Sequence, residues 1–185
     1  MTHIRELLTS DLAGWRMAGP GGFRRVSEVV VESYGGSGLF WYADEVFEDF
    51  VLTVEWRLSR ADDNSGVFLR FPPLTDSPQP AVERGYEVQI DDRGLDPEQQ
   101  VLGSPLHLTG AIYRLAPAIR RCSRPVGQWN LFEVNADGSV IAVRLNGEDV
   151  CRLDNASRDP RGHIGLQNHH AGSAVQFRAL RITAV

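Results

Sequence analysis

Residues 129–153 read WNLFEVNADGSVIAVRLNGEDVCRL, three strand-type runs interrupted at Asp137-Gly138 and at Asn146-Gly147. Both dipeptides readily take positive φ, which the tight turns of twisted hairpins require. The segment therefore reads as a three-stranded antiparallel meander. Outward from it, short runs rich in β-branched and aromatic residues recur along the chain. They lie at 26–33, 38–43, 49–59, 65–71 and 85–90 on one side, and at 163–168 and 174–182 on the other. Glycine, proline or acidic turns separate them. Helix is expected only at the N-terminus and near 115–121. Many short strands with few helices predict an all-β sandwich of two antiparallel sheets.

The 185 residues suit one domain, 1–185, with a full core. A net charge of −5 and a pI near 5.5 offer no basic surface. A nucleic acid or an anionic membrane is thus not the expected partner. No basic start leads into an apolar run of signal-peptide or membrane-span length, so a cytoplasmic location is expected. Cys122 and Cys151, the only cysteines, fit a reducing compartment. Nothing in the pattern fixes an oligomeric state.

The run GYEVQIDD (85–92) alternates without a fault. Tyr86, Val88 and Ile90 fall on one face, and Glu87, Gln89 and Asp91 on the other. Two long loops flank it: 72–84, with four prolines, and 91–108, acidic and amide-rich. Loops of this length in a compact domain are usually functional, and they are expected to cover the polar row. Further polar residues stand at strand positions or ends: Asn64 and Arg70 in NSGVFLRF, Tyr113 in TGAIYRL, and Gln167, His169 and His170 in GLQNHH. On one sheet, an acid, an arginine, amides, a phenol and an imidazole would make a carbohydrate site.

Plainer readings stand beside these. Arg70 reads equally as a structural ion-pair partner of Glu87. Glu55 and Arg57 read as a solvated face, His107 and His163 as loop polarity, and Trp56 and Trp129 as core. No HExxH, paired CxxC, GxSxG or P-loop occurs. The spacing demands no metal, although a divalent ion held by His169, Glu87 or Asp91 stays open.

Taken in order, GWRM, NSGVFLR, GYEVQIDD, TGAIYRLAP, GQWN, LNGEDV and GHIGLQNHH running into VQFRALRI resemble the 3-keto-disaccharide hydrolase family over residues 10–185. The resemblance implies a concanavalin A-like β-jelly-roll with a sugar site on one sheet. It also implies cleavage of glycosides whose glucose is oxidised at C3. By match to those motifs, Asn64, Arg70, Glu87, Gln89, Tyr113, Gln167 and His169 form the site. Glu87, His169 and Arg70 would be catalytic, and Asn64, Gln89, Tyr113, Gln167 and Asp91 would bind substrate.

The row Glu87-Gln89-Asp91 compares with the E-x-D-x-E strand of jelly-roll glucanases, but its middle acid is an amide. Ordinary glycosidases need two carboxyls about 5–9.5 Å apart. Residues four apart in a strand are separated by roughly 13 Å. A 3-keto sugar relaxes that demand, because its ketone acidifies the hydrogen on C2. One base, one acid and an oxyanion partner then suffice, with Glu87 or His169 as base or acid and Arg70 or a metal on the oxyanion. A non-catalytic carbohydrate-binding module explains the same residues and fold.

Overall fold

The computed structural model describes residues 4–185. Its elements in chain order are β1 (Arg5–Glu6), β2 (Trp15–Ala18), β3 (Gly22–Ser27), β4 (Val30–Tyr34), β5 (Gly38–Phe47), β6 (Phe50–Leu58) and β7 (Ser65–Phe71). There follow α1 (Gln79–Arg84), β8 (Tyr86–Ile90), β9 (Asn130–Asp137), β10 (Val140–Leu145), β11 (Glu148–Leu153), β12 (Gly162–Asn168) and β13 (Val175–Ala184). Strand accounts for 49% of the described residues and helix for 3%.

The meander forms where the turns place it. Val140 pairs with Asp137 across one turn and Leu145 with Glu148 across the other. Gly138, Asn146 and Gly147 all have positive φ. The strands assemble into two antiparallel sheets. The first runs β11-β10-β9-β6-β13-β4-β3, with β1 beside β13, and the second runs β2-β5-β12-β7-β8. This is the two-sheet jelly-roll that the sequence predicts.

Alternation decides which residues fill the space between the sheets. Val67 and Leu69 of β7 and Tyr86, Val88 and Ile90 of β8 meet Leu52, Val54 and Trp56 of β6 and Phe132 and Val134 of β9. Burying side chains of this size contributes about 1.5–3 kcal/mol each, which anchors every strand by its inner face. The second sheet also has a smaller apolar cluster on its outer face. There Leu39, Trp41, Phe68, Phe71, Leu74 and Ala81 pack beneath α1 and the proline-rich loop. The outer face of this sheet is therefore covered in part, and the candidate site lies there. No helix among the described residues is long and apolar enough to cross a membrane.

Several details depart from the sequence reading. The run 26–33 is two strands, β3 and β4, because the chain turns back at Glu28-Val29. Residues 5 and 6 are strand, and the start of the expected N-terminal helix lies outside the described residues. Residues 115–121 form no helix, and helix occurs instead as α1. Pro80 fits there because it sits in the first turn, where a missing N–H leaves no bond unmade. Trp129 is not core. It lies half-buried on the outer face of the first sheet, under the guanidiniums of Arg57 (4.7 Å) and Arg178 (4.1 Å). His163 and His107 are buried rather than loop polarity. The first packs edge-on against Trp41, and the second bonds the Ser104 hydroxyl at 2.7 Å.

Candidate active site

Glu87 is the cross-strand partner of Phe68, and Gln89 is the partner of Gly66. Both polar side chains rise from the outer face of the second sheet, because their neighbours Tyr86, Val88 and Ile90 are committed to the core. Gln167 reaches the same face from β12, where Leu166 and Ile164 point inward. Asn64 stands at the start of β7 and His169 just beyond the end of β12. Tyr113 arrives from a loop that extends the sheet past its edge strand. Its backbone N donates to the Glu87 carbonyl (2.9 Å), and Gln89 N donates to Ala111 O (3.0 Å).

These side chains converge. Asn64, Glu87, Gln89, Tyr113, Gln167 and His169 line one cleft, closed by Val82 of α1 and by Leu95 and Pro97 of the 91–108 loop. Its volume is about 170 Å³. Both long loops thus contribute walls, as their position beside the polar row predicts.

The floor is set by a residue that sequence reading passed over. A Cβ at Gly66 would lie 2.8 Å from Glu87 Cγ and closer still to its carboxyl oxygen. Only bare backbone lets the Glu87 carboxyl rest across β7 between Gln89 and Gln167. The signal in the sequence was the glycine inside the strand NSGVFLRF, which marks a close approach.

Electrostatics separate the two ionisable groups. Desolvation pushes the Glu87 carboxyl up to about 8, with Gln167 pulling modestly the other way. The residue keeps an opening onto the cleft, so the walls desolvate it without sealing it off. The Gln89 side-chain amide faces Glu87 Oε1 and the Ser65 carbonyl, each at 3.1 Å, and with its nitrogen turned toward these two acceptors it donates to both and fixes the carboxyl in place. His169 moves the opposite way. Desolvation first, then the neighbouring His170, holds it below 6.5, while Asp91 opposes the shift. Its Nδ1 lies 3.0 Å from Nδ1 of His170, at the exposed rim. Burial raises the Tyr113 phenol above 10, so it remains a hydrogen-bond donor across the working range.

Two acceptors in the cleft lack partners. Asn64 Oδ1 and Gln167 Oε1 are buried and make no hydrogen bond within the protein. A buried acceptor left unmade costs about 1–3 kcal/mol, so such atoms call for a donor such as a sugar hydroxyl or water.

Two expected site residues are elsewhere. Arg70 has φ +52, which breaks the alternation of β7 and carries its side chain away from the cleft. Its guanidinium, 1% exposed, donates to Glu48 O (2.8 Å), Gly138 O (2.7 Å) and Asp49 Oδ1 (3.0 Å). It therefore pairs with Asp49 and not with Glu87, and it cannot hold an oxyanion in the cleft. Asp91 is fully buried and does not line the cleft. Its oxygens accept from the backbone N of Arg93 and Leu95, from Arg93 Nε and from Asn64 Nδ2 (3.3 Å). It organises the loop and orients Asn64. Among the described residues, no three of the His, Cys, Asp and Glu side chains converge to hold a metal ion. Glu87, Asp91 and His169 thus do not form a ligand set.

Comparison with known proteins follows the same direction. The family model described as a 3-keto-alpha-glucoside-1,2-lyase-like domain matches residues 5–183. A 3-keto-disaccharide hydrolase of Bacteroides thetaiotaomicron is 23% identical over 172 residues. The match takes in 74% of this chain and 58% of the relative, so the chain spans little more than half of that protein's length. Among solved structures, a candidate glycosyl hydrolase from Parabacteroides distasonis superposes with a TM-score of 0.81 at 22% identity, covering 99% of this chain and 100% of the other. A carbohydrate-binding module from Bacillus subtilis superposes at 0.64 with 12% identity, covering 91% and 94%. At these identities the structures establish the fold.

Proposed function

The chain belongs to the 3-keto-alpha-glucoside-1,2-lyase-like domain family, and from that premise we propose that it cleaves glycosides bearing a ketone at C3 of glucose. Family membership supports a carbohydrate-directed, glycosidase-type activity. The finer reading rests on the cleft itself. The observation that carries it is one cleft lined by Glu87, His169 and Tyr113 together with amides whose buried acceptors are unpaired, the carboxyl being pushed up to about 8 and the imidazole held below 6.5.

Groups whose surroundings push their pKa values apart take opposite roles. At neutral pH His169 is unprotonated and fit to accept a proton, while Glu87 is largely protonated and fit to give one. His169 removes the hydrogen on C2, and the electron pair spreads into the C3 ketone as an enolate. The Tyr113 hydroxyl donates to that oxyanion, the part Arg70 was expected to play. The enolate collapses to a C1–C2 double bond, the C1–O bond breaks, and Glu87 protonates the departing oxygen. Water then adds across the double bond, so that elimination and hydration sum to hydrolysis. Asn64 and Gln167 accept from ring hydroxyls, and Gln89 holds Glu87 in place.

Product analysis on a 3-keto-glucoside beside its unoxidised parent tests this. The oxidised compound should be cleaved and the parent left intact. Equal cleavage of both would indicate an ordinary glycosidase, and binding without product would indicate a carbohydrate-binding module. The free-enzyme pH profile should be a bell. Its acid limb lies below 6.5, where His169 protonates, and its alkaline limb lies near 8, where Glu87 ionises.

A further inference from the structure

A second hollow adjoins the cleft, lined by Phe68, Val82, Glu87, Tyr113, Arg114 and Arg158, with a volume of about 100 Å³. Val82, Glu87 and Tyr113 line both spaces, so the proton donor and the phenol stand on the partition between them. The two spaces differ in chemistry. The first offers neutral amides to hydroxyls. The second offers an apolar wall from Phe68 and Val82, the ring of Tyr113, and two guanidiniums.

Arg158 is the unusual one. Its Nη1 donates to the carbonyls of Val82 (3.1 Å) and Gly85 (2.6 Å), and its backbone N donates to the Tyr86 hydroxyl oxygen (2.6 Å). Neutral acceptors thus fix it in place. Among the described residues, no carboxylate lies within ion-pair distance of it, and the adjacent Asp159 is taken by Arg84 (2.6 Å). Arg114 lies over Tyr113, 5.3 Å from the ring centroid, and pairs at 2.8 Å with the exposed Glu98. A half-buried, immobilised guanidinium without a counter-charge is a ready partner for a carboxylate, which it can meet through two parallel hydrogen bonds. Glu87, the one acid in the lining, is mostly uncharged below about pH 8 and so does not compete.

We infer that this hollow is the leaving-group subsite and that it selects aglycones carrying a carboxylate on a planar ring. The ring packs between Phe68, Val82 and Tyr113, and the carboxylate meets Arg158, with Arg114 at its flank. The inference rests on the cleavage reading above, since it places the bond to be broken at the partition.

The test compares kcat/KM on the 3-keto-glucosides of 4-hydroxybenzoate and 4-hydroxybenzamide, which share a shape and differ in charge. The ratio of the two is taken for each protein, so that a partly unfolded variant does not distort it. In the wild type the carboxylate should be favoured about tenfold or more over its value in R158Q, the usual worth of a charge-assisted hydrogen bond. R158K, which keeps the charge but loses the planar fork, should fall between the two. R114Q should lower the ratio less than R158Q, because Glu98 already offsets Arg114. A ratio that R158Q leaves unchanged, with both compounds cleaved, overturns the subsite and spares the cleavage reading. Failure to cleave either compound overturns both.

Discussion

Glu87 combines features that proton transfer at neutral pH requires. Its backbone is anchored by core neighbours, its carboxyl is fixed by Gln89, and its pKa stands at about 8. Glu87→Gln preserves the shape and removes the acidic proton that a carboxyl can transfer. Turnover on a 3-keto-glucoside should fall about 10²–10⁴-fold, the usual contribution of a positioned acid or base, with binding far less affected. The same variant tests the environment. A carboxyl whose folded pKa exceeds its ordinary value near 4.5 holds its proton in the folded state after the unfolded chain has lost it. Its stabilising effect is complete below pH 4.5 and is lost as the pH rises through about 8. Melting temperatures at pH 5 and pH 9 should therefore show Glu87→Gln gaining on the wild type at the higher pH. A constant difference would mean that the carboxyl is not desolvated. Gly66→Ala drives a methyl into that carboxyl and should depress turnover while the sheets stay folded, as near-unchanged circular dichroism would show. His169→Ala should erase the acid limb of the pH profile along with most of the rate.

At the scale of elements, the strands were legible because their alternation is regular. Tyr86, Val88 and Ile90 against Glu87 and Gln89 specify a face without further information, and Asn146-Gly147 specifies a turn. Arg70 was misplaced for a physical reason. Alternation assumes extended backbone, and a φ of +52 at an arginine leaves no trace in composition. Its bonds show what it does instead. From the second sheet it reaches the β5–β6 turn at Glu48 and Asp49 and the β9–β10 hairpin at Gly138, so it ties the two sheets together at one end. Arg70→Met should cost about 2–3 kcal/mol in chemical denaturation, since it strands hydrogen-bond acceptors in a buried place. Turnover per folded molecule should stay close to wild type. A drop in turnover at unchanged stability would return Arg70 to the site. Helix α1 was hidden by its prolines, which read as breakers unless one lies in the first turn. Strand β2 was too short and too mixed, as WRMA, to show a period. Tyr113 was placed in the site by the family resemblance and not by any local pattern. Its position depends on loop hydrogen bonds to β8 that no local pattern encodes.

In the whole molecule, one sheet serves mainly as backing and the other bears the candidate site. The first packs its inner face against the core and presents charged pairs such as Arg178–Glu55 (2.6 Å) outward. The second is held by the core on one side, and on the other its loops build the cleft over a rigid floor. Such an arrangement suits a binding module as readily as an enzyme, and the two diverge only in chemistry. The measurement that separates them most directly is cleavage of a 3-keto-glucoside in deuterated water, with the released sugar analysed at C2 and spontaneous exchange subtracted. Proton abstraction followed by hydration predicts one solvent deuterium at C2 for each cleavage, and Glu87→Gln and His169→Ala should both slow product release. Cleavage that leaves the original hydrogen on C2 would contradict the mechanism outright.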